Sequence, residues 1–121
     1  MESKSAILFR HWIKANPQFT GSYEIKDSLG KKYLPFNSVS QAQLDYAMAI
    51  HSNKGVFIRV QAVSEGMPDY VYLRNCPAWI VIKYPKSFEI ISIDSFILEK
   101  SRSKEKSLSW ERAKAISTIS V

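Results

Sequence analysis

Glu24-Ile25-Lys26 has the residue types and spacing for phosphate chemistry. In an extended strand alternate side chains share a face, so Glu24 and Lys26 stand together, about 6.5–7 Å apart. A carboxylate there can hold Mg²⁺, which prefers oxygen ligands, with Mn²⁺ as a substitute. The neighbouring ammonium can orient a water or offset charge that develops on a phosphate. Glu-x-Lys is also a common tripeptide, and a plain ion pair on an exposed strand face is the alternative.

Other chemistries find no support. The two histidines, His11 and His51, are far apart and no Cys-x-x-Cys exists, which argues against structural zinc. With four glycines and no Gly-rich turn after a strand, there is neither a phosphate loop nor a dinucleotide fingerprint. No Gly-x-Ser-x-Gly elbow is present. Cys76, the single cysteine, has no neighbouring histidine in sequence to activate it, so a catalytic thiol is not expected.

The elements that must position Glu24 and Lys26 belong to a chain of 121 residues with net charge +6. That length suits one domain, 1–121, able to bury a core without a metal or disulfide staple. Composition is 45% hydrophobic and 23% charged, which excludes a disordered or fibrous class. The longest apolar run, Ala78 to Ile82, is far too short for a membrane span, and the N-terminal apolar stretch is too short for a signal peptide. With one unpaired cysteine, a reducing, cytoplasmic setting is expected. Charge is uneven, at +4 over residues 1–60, −1 over 61–98 and +3 over 99–121. The densest basic stretch, Lys100-Ser101-Arg102-Ser103-Lys104-Glu105-Lys106-Ser107, reads either as a solvated loop or as a phosphate-contacting one.

A first helix is capped by Ser3 or Ser5 and stopped by Asn16-Pro17. A strand over Gly21–Lys26 follows, then a loop with Lys31 and Lys32, then apolar Tyr33-Leu34-Pro35-Phe36. Ser40-Gln41-Ala42-Gln43 carries a capping-box pattern and opens a second helix, with Leu44, Ala47 and Met48 on its apolar face. Val56–Val60 is apolar on both faces except at Arg59 and predicts a central strand. Tyr70–Arg74 and Trp79–Tyr84, separated by a turn, predict a hairpin or meander, with a further short strand at Phe88–Ile91. A short helix over Asp94–Lys100 and a last one from Ser107 or Ser109 complete the order. Such an order implies an α/β or α+β fold, a single mixed sheet covered by helices. The three tryptophans, Trp12, Trp79 and Trp110, are expected in the core or at a dimer interface.

Taken together, Tyr23-Glu24-Ile25-Lys26-Asp27, the basic loop, Leu34-Pro35-Phe36-Asn37, the helix with Gln43, the Gly55–Val60 strand and Lys106-Ser107-Leu108 stand in a familiar order. Over about Gly21 to Ile116 the chain resembles the PD-(D/E)XK nuclease superfamily, in particular Holliday-junction resolvases of the RecU type. The resemblance implies a restriction-endonuclease-like core and a Mg²⁺-dependent deoxyribonuclease. It also implies a homodimer acting on branched DNA in phage recombination or replication. Glu24 would be a metal ligand, Lys26 the catalytic lysine, and Gln43 a residue that positions water or DNA. Lys31, Lys32, Arg102, Lys104, Lys106 and Ser107 would face phosphates. A shortened member that binds DNA without cutting it is the alternative.

The chain also departs from that pattern. The family places a catalytic Asp on a strand ahead of Glu-x-Lys, whereas residues 1–23 hold only one acid, Glu2, and Ala42 stands where a His usually precedes the Gln. Asp27, Asp69, Glu2 or a second subunit would have to complete the metal site. A second pattern, Gly66-Met67-Pro68-Asp69 followed by Val81-Ile82-Lys83, looks like the hairpin of virus-type replication-repair nucleases in the same superfamily, with Val81 in place of the acid. If the strands adjoin, Asp69 would supply the missing carboxylate.

Overall fold

The computed structural model describes residues 4–16, 21–61 and 68–121, with side chains left out at 58–61 and 68–71. Helix α1 spans Lys4–Ala15, β1 Ser22–Asp27 and β2 Tyr33–Pro35, followed by a 3₁₀ turn at Phe36–Ser38. Helix α2 covers Gln41–His51, then β3 Val56–Gln61, β4 Pro68–Leu73, β5 Ala78–Lys83 and β6 Phe88–Ser92. Helix α3 is Ile93–Arg102, β7 Ser107–Ser109, α4 Trp110–Ile116 and β8 Ile119–Ser120. The fold is α+β: a mixed four-stranded sheet in the order β1-β5-β6-β8 carries helices on its faces, and β2-β7 and β3-β4 form separate two-stranded ribbons.

The helix starts are local events. Ser40, Ser92 and Ser109 each cap a helix by accepting a backbone N–H three residues on, which satisfies one of the orphan donors of the first turn. The last helix therefore begins at Ser109, and Ser107 belongs to β7.

Strand β5 takes the centre of the sheet. Its Ile80 and Ile82 lie fully buried in a core with Leu44 and Ala47 of α2 and Phe96 of α3, while Val81 points the other way into a second core around Phe9 of α1. A strand apolar on both faces has no solvated side, which suits a place between two neighbours. It pairs parallel with β1, Glu24 opposite Ile80 and Lys26 opposite Ile82, and antiparallel with β6.

Two expectations are corrected. Val56–Val60 is not central: among the described residues β3 pairs only with β4, and Phe57 is 72% exposed. An apolar run does not say how many neighbours it will have, and β5, with Ile80, Val81 and Ile82 fully buried, fills the central position. Nor do the strands around Tyr70–Arg74 and Trp79–Tyr84 form a hairpin. Asn75 adopts a left-handed φ of 54°, and the amides of Asn75 and Cys76 bond the carbonyls of Ser52 and Ile50. That turn ties the chain to the end of α2 and delivers β5 beside β1 instead of β4.

Candidate functional site

β1 alternates as its sequence dictates. Tyr23 and Ile25 face the core under α1, and Glu24 and Lys26 face the side that carries α2. The Lys26 Nζ lies 3.5 Å from Glu24 Oε1, with 23% of the Lys26 side chain and 33% of the Glu24 side chain exposed. The capping box then brings in the third residue. The Gln43 backbone N–H donates to Ser40 Oγ at 3.1 Å, and the Ser40 backbone N–H donates back to Gln43 Oε1 at 2.9 Å. With its carbonyl oxygen held that way, the Gln43 amide nitrogen must point outward, and Nε2 donates to Glu24 Oε1 at 2.9 Å. One side chain thus caps α2 and binds the carboxylate. Glu24 Oε1 takes the Gln43 hydrogen bond and the Lys26 ion pair, and Oε2 has no hydrogen-bond partner among the described residues.

The other acids are not brought to this point. Asp27 sits on the opposite face of β1, where its carboxylate accepts the Ser5 hydroxyl of α1 and the Leu29 N–H at 2.7 Å. It fastens the start of α1 to the end of β1. Asp69 lies on β4 opposite Val60, in the ribbon that does not border β1, and its side chain is outside the described residues, as is Glu2. In that second pattern Val81 is fully buried under α1, and Lys83 donates to the Tyr84 and Pro85 carbonyls, so neither joins Glu24.

The basic residues gather by way of the β2-β7 ribbon. Leu34 pairs with Leu108 and Pro35 with Ser107. At one end the Trp110 N–H bonds the Lys32 carbonyl at 2.7 Å, and at the other the Phe36 N–H bonds the Lys106 carbonyl at 3.0 Å. Lys31 and Lys32 therefore flank one end and Lys104 and Lys106 the other, all exposed. Lys31 lies over the Tyr33 ring, 5.8 Å from its centroid. Arg102 is exposed at the end of α3, in a groove with Glu99 and Arg112.

A polar cluster that the sequence did not signal is centred on Glu89. Its carboxylate is fully buried and accepts the hydroxyls of Ser87, Ser117 and Ser120. Ser87 in turn accepts the Trp110 indole N–H at 2.9 Å. Nearby, Tyr84 donates to the Leu108 carbonyl at 2.9 Å, and burial first, then the Glu89 and Glu111 charges, push its pKa up. The only hint in sequence is that Glu89 sits between Phe88 and Ile90 in an otherwise apolar strand.

Among the described residues no group of three metal-binding side chains is assembled. What Glu24 does present is one free carboxylate oxygen, the kind of ligand Mg²⁺ takes while keeping most of its waters and adding phosphate oxygens from substrate. No helix among the described residues is long and apolar enough to cross a membrane. No family model matches this chain, and no curated protein and no solved structure does so either.

Proposed function

We propose that the protein is a metal-dependent deoxyribonuclease acting on branched or otherwise structured DNA, with Glu24, Lys26 and Gln43 at its reaction centre. The observation that carries this reading is the convergence of Lys26 of β1 and Gln43 of α2 on one carboxylate oxygen of Glu24. Glu24 would hold Mg²⁺ or Mn²⁺ through its free oxygen, and the ion would supply an activated water and a Lewis acid. Gln43 holds the carboxylate by its other oxygen, which restricts the rotation of the group. Lys26 stands ready to offset charge on a phosphate oxygen. Lys31, Lys32, Arg102, Lys104, Lys106 and Ser107 would meet the polynucleotide backbone, since Lys, Arg and Ser supply many such contacts. A four-way junction offers two equivalent strands, which favours a symmetric homodimer. β1 is the outer strand of its sheet, so a carboxylate from a partner subunit could reach the site past that edge.

A second reading is a DNA-binding protein that keeps the arrangement without cutting. It is favoured by the absence, among the described residues, of any other carboxylate brought to Glu24 to complete a metal-binding group.

Cleavage of a labelled synthetic four-way junction, against linear duplex, in Mg²⁺, Mn²⁺ and EDTA separates the two. Metal-dependent nicking that disappears in Glu24→Gln and Lys26→Ala, with binding retained, is the expected result. Binding without nicking in either metal selects the second reading, and no binding at low salt removes both.

A further inference from the structure

The β3-β4 ribbon stands outside the main sheet and holds two aromatic rings in water. Phe57 and Tyr72 are cross-strand partners, 72% and 43% exposed, with ring centroids 4.7 Å apart and planes at 37°. The pair is pinned from beneath. The Tyr72 hydroxyl donates to the Lys54 carbonyl, and its ring lies against Gly55, where an added Cβ would come within 2.6 Å of Tyr72 Cζ. Gly55 also has φ +71°, so both the backbone and the ring require glycine there. Arg74 places its guanidinium 5.8 Å from the Tyr72 ring centroid, and Lys54 and Arg74 are both exposed. The Asn75 side-chain amide donates a 3.2 Å hydrogen bond to Asn53 Oδ1, joining the two loops at the base of the ribbon. Stretches 51–61 and 72–77 contain no Asp or Glu.

We infer that the Phe57–Tyr72 pair is a stacking platform for an unpaired base of a polynucleotide, with Arg74 and Lys54 contacting the phosphates beside it. The combination of fixed aromatic faces with flanking cations matches how single-stranded nucleic acid is held, by base stacking along a positive track. A protein partner is a poorer fit. Protein interfaces bury about 800 Å² per side around a core depleted in charge, whereas this patch is two rings rimmed by cations. The inference rests on the proposed function only in that the ligand is a polynucleotide; its residues are separate from Glu24 and need no metal.

The test is fluorescence anisotropy with a labelled oligo(dT) strand and a blunt duplex of equal length, at low salt with EDTA. The variants are Phe57→Ala, Phe57→Trp and Arg74→Ala, each checked for folding by circular dichroism. Phe57→Ala should weaken oligo(dT) binding about ten-fold and leave duplex binding within about two-fold, following the usual effect of removing one stacking ring. Phe57→Trp should retain single-strand affinity, and Arg74→Ala should weaken both probes and lower the salt dependence. If the parent binds both probes and Phe57→Ala changes neither, or weakens both equally, the platform is overturned while the nucleic-acid reading stands. If the parent binds neither probe, both fall. A Phe57→Ala variant that changes only the sedimenting mass would assign the patch to a second copy and overturn the inference.

Discussion

Gln43 donates to Glu24 with the same amide group whose oxygen closes the capping box on Ser40. A helix start and a strand carboxylate are thereby tied through one side chain, so the geometry of the candidate site and the entry of α2 are not independent. The tie also fixes which Gln43 atom faces the site: the donor, not the carbonyl.

That double role can be split. Gln43→Ala removes both contacts and should cost about 0.5–1 kcal/mol in urea unfolding, together with loss of metal-dependent nicking. Gln43→Glu can still accept the Ser40 N–H while placing a second carboxylate against Glu24. Its stability should stay closer to the parent at the same pH, yet nicking should fall as far as in Gln43→Ala. Equal nicking by Gln43→Glu and the parent would show that the Nε2 contact does not matter to the chemistry.

Tyr23 presents a hydroxyl buried beside α1 with no hydrogen-bond partner among the described residues, and burial pushes its pKa up to about 12. Tyr23→Phe keeps the ring that meets Phe9 at 5.0 Å and deletes the unpaired polar atom. Stability near neutral pH should hold or rise by up to about 1 kcal/mol. Since the folded pKa is raised, the neutral phenol favours the folded state below the ordinary tyrosine range near 10, and that contribution is lost as pH climbs toward 12. Denaturation midpoints should therefore fall less steeply in alkali for Tyr23→Phe than for the parent.

Glu99 and Arg112 join α3 to α4 through two bonds, 2.7 and 3.1 Å, and the hydrogen bond from Arg112 holds the Glu99 carboxyl below its usual range. A lowered folded pKa contributes stability above the unfolded value and loses it as pH falls through the folded one. The parent should weaken on acidification over that window more than Glu99→Gln does, as read from urea midpoints at stepped pH. Arg112 is largely exposed, so the difference should shrink in high salt.

What the chain determines locally was readable from its residues. Ser40-Gln41-Ala42-Gln43 specifies a capping box because the partners lie three residues apart. Glu24 and Lys26 share a face because a strand alternates, and their ion pair follows. The α+β class follows from the order of helical and extended segments. Periodicity could not say which strand sits in the middle. Val56–Val60 and Ala78–Lys83 are both apolar runs, and only the competition for neighbours put β5 at the centre and left Phe57 in water. Nor could spacing show that Asp27 would turn to Ser5 rather than Glu24, or that Glu89 would collect Ser117 and Ser120 from the end of the chain beside its neighbour Ser87. Those contacts join segments up to 31 residues apart, and their geometry exists only once the sheet order is set. The single-residue pattern specifies the groups and their faces; tertiary packing alone decides which groups meet, because register and layer order are settled by burial summed over the whole core.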